Sequence, residues 1–329
     1  MFHNSTQRKF WTFETEEEID KLRENSNAAY RQKFCARNKN VSVDDDNFFI
    51  TTNEHRVFVR HYEEELKEFC WKFKPPMPLS AIGTAWAYMR RLYLRRSVMH
   101  YHPKLMYLVC IWLACKTEEF NISMEQYAQS ISDDNEVIKD AILTIELVLI
   151  QELNFHLTVH NPFRPLEGFF IDLKTRFPPF SNPDQLREHA KDFLIRSLST
   201  DVTLLFTPSQ LSLAALLSAA SKCSKNIDRY VTDTLLKGQP QKVLRETIQR
   251  IKKIRTILKS ANTEKPSQEE IRRIELKLER CYDKSKDPTS QEYTKIQNML
   301  EAEKHERHAK KRKLEIEKRQ KIESDLLRF

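Results

Sequence analysis

Glycine is nearly missing from this chain: Gly83, Gly168 and Gly238 are all that 329 residues contain. Average usage of about 7% would supply about 23. Loops that cradle phosphate, of the G-x-G-x-x-G or G-x-x-x-x-G-K-[ST] kind, need clustered glycines so that backbone N–H groups can approach the ligand. P-loop nucleotide hydrolysis, protein-kinase catalysis and dinucleotide-dependent redox chemistry are excluded on that ground. Hairpin-rich β folds lean on glycine turns and are disfavoured with them. Long apolar runs are missing too: nothing approaches the 18 residues of a bilayer span, nor the apolar core of a signal peptide. The six cysteines (Cys35, Cys70, Cys110, Cys115, Cys223, Cys281) show no C-x-x-C spacing. That argues for buried thiols in a reducing compartment and against a zinc or redox centre. The expectation is a soluble intracellular protein.

What is present is charge and helical periodicity. There are 55 Lys and Arg against 47 Asp and Glu, a net +8, with 40% hydrophobic and 31% charged residues. Most basic side chains have acidic neighbours, which points to solubility and an acidic partner and not to a dedicated nucleic-acid surface. Thr15 with Glu18 reads as a capping box opening a helix toward Tyr30, and Asp44–Asp46 as a loop. A helix over 52–73 stops before Pro75. Further helices follow over 80–95, from Pro103 to Cys115, at 123–130 and over 135–153. After Asn161-Pro162 a second run appears: 163–174, 183–199, 208–222, a short one near 227–232, and 240–258. In each run the third helix is the most apolar, as a central helix surrounded by others must be. The fold class is therefore all-α, with two tandem five-helix repeats of about 100 residues each and extra helices at both ends.

The boundaries expected are an N-terminal segment 1–50, repeats at 51–160 and 161–260, a C-terminal helix within 261–285 and a charged tail 286–329. The C-terminal helix, at 266–283, carries Ile271, Ile274, Leu278 and Cys281 on one face. The tail pairs Glu306 with Lys310 and Glu317 with Lys321 at i,i+4 and has little apolar area of its own.

Glu146 is the most informative position. In a helix its neighbours one turn away are Ile142, Leu143, Leu149 and Ile150, and a carboxylate in that surround needs a partner. Lys116, closing the apolar central helix, is the natural one. No second acid, nucleophile or metal-ligand cluster accompanies the pair, so catalysis, a cofactor and a metal are not expected. His156 and His160 are four apart, but no third ligand is near.

LACKTEEF (113–120), followed by IELVLIQELNFHL (145–157), resembles the cyclin box of the cyclin family. MFHNSTQRKFWTF, FKPPMP, SVMHYHP, NFHLTVHNPFRPLEGFFIDLKTR and TPSQLSLAALLSAA extend the likeness over about residues 1–285. It implies two five-helix repeats and a non-catalytic regulatory subunit that binds and activates the cyclin-dependent-kinase-activating kinase. It implies a Lys–Glu pair at the kinase interface, at Lys116 and Glu146 here. Kinase contacts are implied at Thr117, Glu118 and Glu119, and at Ile150, Phe155 and Leu157. Thr117 stands where cell-cycle cyclins commonly carry Phe. The partners implied are the cyclin-dependent kinase, a RING-containing assembly factor and general transcription factor IIH, in the nucleus, with no direct nucleic-acid contact and no membrane. HYEEELKEFCWKF (61–73) lacks the M-R-x-x-L substrate-docking motif of cell-cycle cyclins. Met89-Arg90-Arg91-Leu92 is similar to it but falls in the second helix, and is expected to be an ordinary amphipathic turn. Two other readings compete: a DNA-binding protein like general transcription factor IIB, which carries paired C-x-x-C motifs absent here, and a helical scaffold without a kinase. Lys310–Lys313 is either a nuclear import patch or part of a charged helix face.

Overall fold

The structure is a computed structural model that describes every residue except 1, 40, 132–134, 178–179, 181, 262–264 and 327–329, and leaves out the side chains at 135, 314, 317 and from 319 onward. Every regular element among the described residues is helical. The N-terminal elements are α1 (Thr6–Phe10) and α2 (Glu16–Arg37). The first repeat is α3 (Thr52–Lys72), α4 (Leu79–Arg95), α5 (Pro103–Thr117), α6 (Met124–Gln129) and α7 (Asn135–Glu152). The second is α8 (Phe163–Arg176), α9 (Arg187–Leu198), a one-turn α10 (Val202–Leu205), α11 (Pro208–Lys222), a π-helical turn (Tyr230–Leu235) and α12 (Gln241–Ser260). α13 (Gln268–Cys281) and α14 (Gln291–Leu326) follow. Asp44–Asp46 is a loop, in which the Asp45 carboxylate accepts from the backbone N–H groups of Asn47 and Phe48.

α5 is packed by α3, α4 and α7, and α11 by α8, α9 and α12. The two central helices are built alike. Both begin with Pro at the first turn, capped by His102 and Thr207 respectively, and both are 15 residues long. Proline suits that position because its missing N–H would have had no intrahelical partner. Both then end on a left-handed residue that is not glycine, Glu119 (φ 57°) and Ser224 (φ 55°). Each end is closed by a six-residue hydrogen bond, Phe120 N–H to Cys115 O at 2.9 Å and Lys225 N–H to Ala220 O at 2.8 Å. This is a Schellman stop that normally uses glycine. Each repeat has its own apolar core.

The terminal elements are packed onto these cores. Trp11 is 1% exposed, and Phe13 donates its N–H to Leu204 O (2.8 Å) beside buried Ile19 and Leu94. Ile271, Ile274, Leu278 and Cys281 of α13 all enter the first core, and Lys277 bonds Glu54 of α3 at 2.7 Å. The N-terminus of α2 departs from the expected capping box. Thr15 caps Glu18 N–H, but the Glu18 carboxylate turns to Glu14 N–H instead of returning to Thr15. The reciprocal box occurs at α3, between Thr51 and Glu54.

The Met89–Leu92 string is not an ordinary surface turn. Arg90 and Arg91 are 7% and 2% exposed. Arg90 bonds Glu63 (2.8 Å) in its own repeat, and Asp201 (2.8 Å) and Leu198 O (2.9 Å) in the second. Arg23 of α2 completes the junction with two 2.7 Å bonds to Asp201. The periodicity placed this stretch correctly on a helix, but a face that meets another repeat is as buried as one that meets a core. His100 is buried as well, 8% exposed against the ring of Tyr30.

A second close contact seals the connector between repeats. A Cβ added at Gly83 would meet Asn161 Oδ1 at 2.3 Å. Asn161 lies there because its amide donates to Ser80 O (3.0 Å) and Thr84 Oγ1 (2.9 Å).

Residues 283–329 form a separate unit. Within it α14 is long, and its described side chains from Glu301 onward are all exposed. Glu306 and Lys310 pair at 2.6 Å; Glu317 and Lys321 lie outside the described side chains.

Candidate functional site

The end of α5 and one face of α7 converge. Lys116 is in the last turn of α5, where a cation complements the negative end of the helix dipole. Its Nζ donates to Glu146 Oε1 at 2.6 Å. The second oxygen, Oε2, accepts from Trp112 Nε1 at 3.2 Å, and the Lys116 ammonium lies 5.7 Å from the Trp112 ring centre. Both carboxylate oxygens of a nearly buried group (8% exposed) are thus satisfied, while Lys116 stays 51% exposed with donors to spare. Trp112 is the part of this arrangement that the sequence reading missed. Its position one turn before Lys116 was the available signal, since a buried indole N–H needs an acceptor.

The apolar surround of Glu146 differs from the expectation in one respect. Ile142 and Leu149 are buried and Ile150 half-buried, but Leu143 is 41% exposed and Leu147, the next residue after the carboxylate, 66%. α7 therefore presents an apolar stripe to solvent along the edge of the ion pair. Beyond it the chain turns through two consecutive left-handed residues, Asn154 (φ 51°) and Phe155 (φ 59°), closed by Phe155 N–H to Ile150 O at 3.0 Å. That backbone is unfavourable for a bulky residue, and it leaves Phe155 69% exposed.

The other expected residues fall around the same place with different degrees of freedom. The Tyr88 hydroxyl bridges Leu157 O (2.6 Å) and Thr117 Oγ1 (3.1 Å), which ties the end of α5 to the chain leaving α7. Leu157 is half-buried. Glu118 is half-buried with Oε1 already accepting from Thr84 Oγ1 at 2.7 Å, whereas Glu119 is exposed and unengaged by side-chain bonds among the described residues. His156 accepts from Trp11 Nε1 (3.1 Å) and stacks on Phe10 (4.8 Å between ring centres), so α1 braces the turn that carries Phe155. Burial, with Arg91 and Arg95 nearby, holds the His156 pKa below its ordinary value. Among the described residues no three His, Cys, Asp or Glu side chains could hold a metal ion. No described helix is long and apolar enough to cross a membrane.

Comparison with known proteins agrees with this architecture. The "Cyclin, N-terminal domain" family matches residues 37–158 and the "Cyclin C-terminal domain" family residues 161–259. The chain is 40% identical to Cyclin-H of Xenopus laevis over 285 residues, 86% of this chain and 87% of the relative. It is 31% identical to Cyclin-H1-1 of Arabidopsis thaliana over 237 residues, 70% of this chain and 68% of that one. A chain in the solved CAK complex of Chaetomium thermophilum, bound to ATP-gamma-S, superposes with a TM-score of 0.77 at 27% identity, covering 92% of this chain and 94% of its own. The two cyclin domains and the length of the match to these relatives show that the chain belongs to the cyclin family, in its cyclin H branch.

Proposed function

We propose that this chain is the regulatory subunit of a cyclin-dependent-kinase-activating kinase, and that the kinase docks on the Lys116–Glu146 site. The observation that carries the site is the coincidence of a half-exposed ion pair with exposed Leu143, Leu147 and Phe155. A paired charge flanked by solvent-facing apolar side chains suits a protein interface: the apolar groups supply buried area and the ion pair fixes orientation. A protein kinase is competent when its β3 Lys pairs with the αC Glu and its activation loop is ordered. A rigid partner packed against αC shifts that pre-existing equilibrium toward the competent state without touching substrate. Lys116, with unused donors, would meet backbone carbonyls of the kinase. Thr117, Glu118 and Glu119 would line one edge and Ile150, Phe155 and Leu157 the other. The likeness to a chain of the CAK complex supports this reading.

By the same family resemblance, the pair would be joined by a RING-containing assembly factor within general transcription factor IIH and act in the nucleus on cell-cycle kinases and RNA polymerase II. The chain itself is a regulatory subunit and not an enzyme.

Reconstitution from purified components tests the site. Lys116→Glu and Glu146→Lys should abolish kinase binding while circular dichroism shows unchanged helical content. Leu147→Asp changes an exposed side chain that the fold does not need, and should weaken binding on the order of 100-fold, as loss of a central apolar anchor does. Full kinase activation by Lys116→Glu or by Leu147→Asp would overturn the assignment.

A further inference from the structure

The charge excess is thin over the whole chain, +8 in 329 residues, but it is not evenly spread. Between 304 and 313 lie Lys304, Arg307, Lys310, Lys311, Arg312 and Lys313, against one acid, Glu306. All are exposed on α14. At about 100° per residue the consecutive Lys310–Lys313 run is scattered round the helix axis, so adjacency in sequence does not make it a face. What the helix does gather is Lys304, His305, Arg307, His308, Lys311 and Arg312, within an arc of about 160°. Glu306 lies on the far side, paired with Lys310 at 2.6 Å, and Glu303 lies outside the arc and reaches Arg307 only at 4.0 Å. Glu301 and Glu315 bound the stripe at its two ends, which leaves a basic face about 12 Å long at 1.5 Å per residue.

Two features decide what this face fits. Lys304, Lys311 and Arg312 have no ion-pair partner among the described residues, so their mutual repulsion is relieved only by an outside anion. The arc also holds no apolar residue and none of Phe, Trp or Tyr, and a protein partner would need such an anchor to bind tightly. A surface whose charges are all positive suits a regular array of phosphates. Against the expectation of no nucleic-acid contact drawn from the chain's overall charge balance and family likeness, we propose that this stripe of α14 binds the phosphate backbone of nucleic acid without reading its bases. Duplex DNA carries one charge per about 1.7 Å of axis with both strands counted, so a 12 Å length holds about seven phosphates, a supply sufficient for the four Lys and Arg side chains of the stripe. Binding of that kind releases counterions, and four contacts give a slope of log affinity against log salt of about −3.6.

The test uses the full chain and a fluorescein-labelled 20-base-pair DNA duplex, with anisotropy read from 50 to 200 mM salt. Wild type should bind at 50 mM and lose roughly 100-fold by 200 mM. A variant with Lys304, Arg307, Lys311 and Arg312 all changed to Gln should bind at least 10-fold more weakly at 50 mM, with a flattened slope. A control with Lys222, Lys225, Lys237 and Lys242 changed to Gln carries the same change in net charge and should stay within about threefold of wild type. Three results would overturn the proposal. They are no binding by wild type at 50 mM, equal losses in the two variants, or displacement of the duplex by polyglutamate as readily as by unlabelled DNA of equal charge. The last would point to an acidic protein instead. None of these readouts involves the kinase, so the outcome is separate from that of the docking site.

Discussion

Arg90, Glu63, Asp201 and Arg23 occupy a polar cleft of about 370 Å³ where α2, α3, α4 and the second repeat meet. Burial by itself would raise the Asp201 carboxyl, but its bonds to Arg23 and the charges of Arg90 and Arg56 outweigh that and hold it down at about 2. Glu63 is buried more completely, and there burial wins over the Arg90 charge: its pKa is pushed up to about 7. His55 lines the same cleft and is held neutral. Burial lowers it to about 4, helped by the charges of Arg23 and Arg56, and it bonds Tyr93 O at 3.2 Å. The signs of these effects oppose one another. A histidine depressed from 6.5 to about 4 contributes stability that is present above 6.5 and lost as the pH falls toward 4. A carboxyl raised from 4.5 to about 7 favours the native state more as the pH falls through that same window. Each is worth roughly 3 kcal/mol at full extent. Wild type should therefore be almost indifferent to pH between about 6.5 and 4.5. Glu63→Gln, which imitates the protonated acid, should expose the His55 loss and become less stable by about 2–3 kcal/mol over that interval. Urea denaturation at a series of pH values measures this, and a flat profile in the variant would contradict the assignment.

Among the elements, α1 is five residues long and cannot be stable alone. Its place is fixed by Trp11, whose ring lies 4.3 Å under the Arg95 guanidinium and whose N–H is taken by His156. Gln7 adds a bond from His160 N–H to its Oε1 at 2.6 Å. Trp11→Ala should cost about 3–5 kcal/mol, as deletion of a buried aromatic does. It should also lower kinase activation through the loosened 154–157 turn; an unchanged melting temperature would show α1 to be a passive appendage. The helices themselves were largely readable because their limits are chemical, with prolines at 75, 103, 162 and 208 and apolar spacing between. The positions of the stops were close to those expected, but the backbone that makes three of them was not readable. Left-handed residues usually advertise themselves as glycine, and in a chain with three glycines Glu119, Phe155 and Ser224 take that role silently. The short helix expected near 227–232 lies at Tyr230–Leu235, and nothing in the sequence marks it as π-helical.

For the molecule as a whole, the junction of the repeats is ionic as much as apolar. Arg90→Ala strands Glu63 and Asp201 in a buried place and should destabilise by about 3–5 kcal/mol, whereas Arg90→Met combined with Glu63→Leu should recover most of that loss. Thermal melting of the two variants decides it, and equal behaviour would mean that the charges are idle. The same junction marks the limit of what the sequence conveyed. The Lys116–Glu146 partnership was legible because a lone acid among aliphatic residues demands a cation. Arg90 and Arg91 looked like surface because nothing local shows that a second repeat will cover them. Leu147 was passed over for the converse reason, since an apolar helix face looks buried until the neighbour that should cover it proves to be absent.

The notch at Gly83 has a mechanical corollary. With the Asn161 amide seated where any β-carbon would stand, and bonded there to Ser80 and Thr84, the connector acts as a dowel and not as a hinge. Thr84 passes the same restraint to Glu118. A protein that gripped the far repeat would thus be carried at a constant bearing to any partner docked at Lys116, and the bending needed to switch on an enzyme would fall to that enzyme.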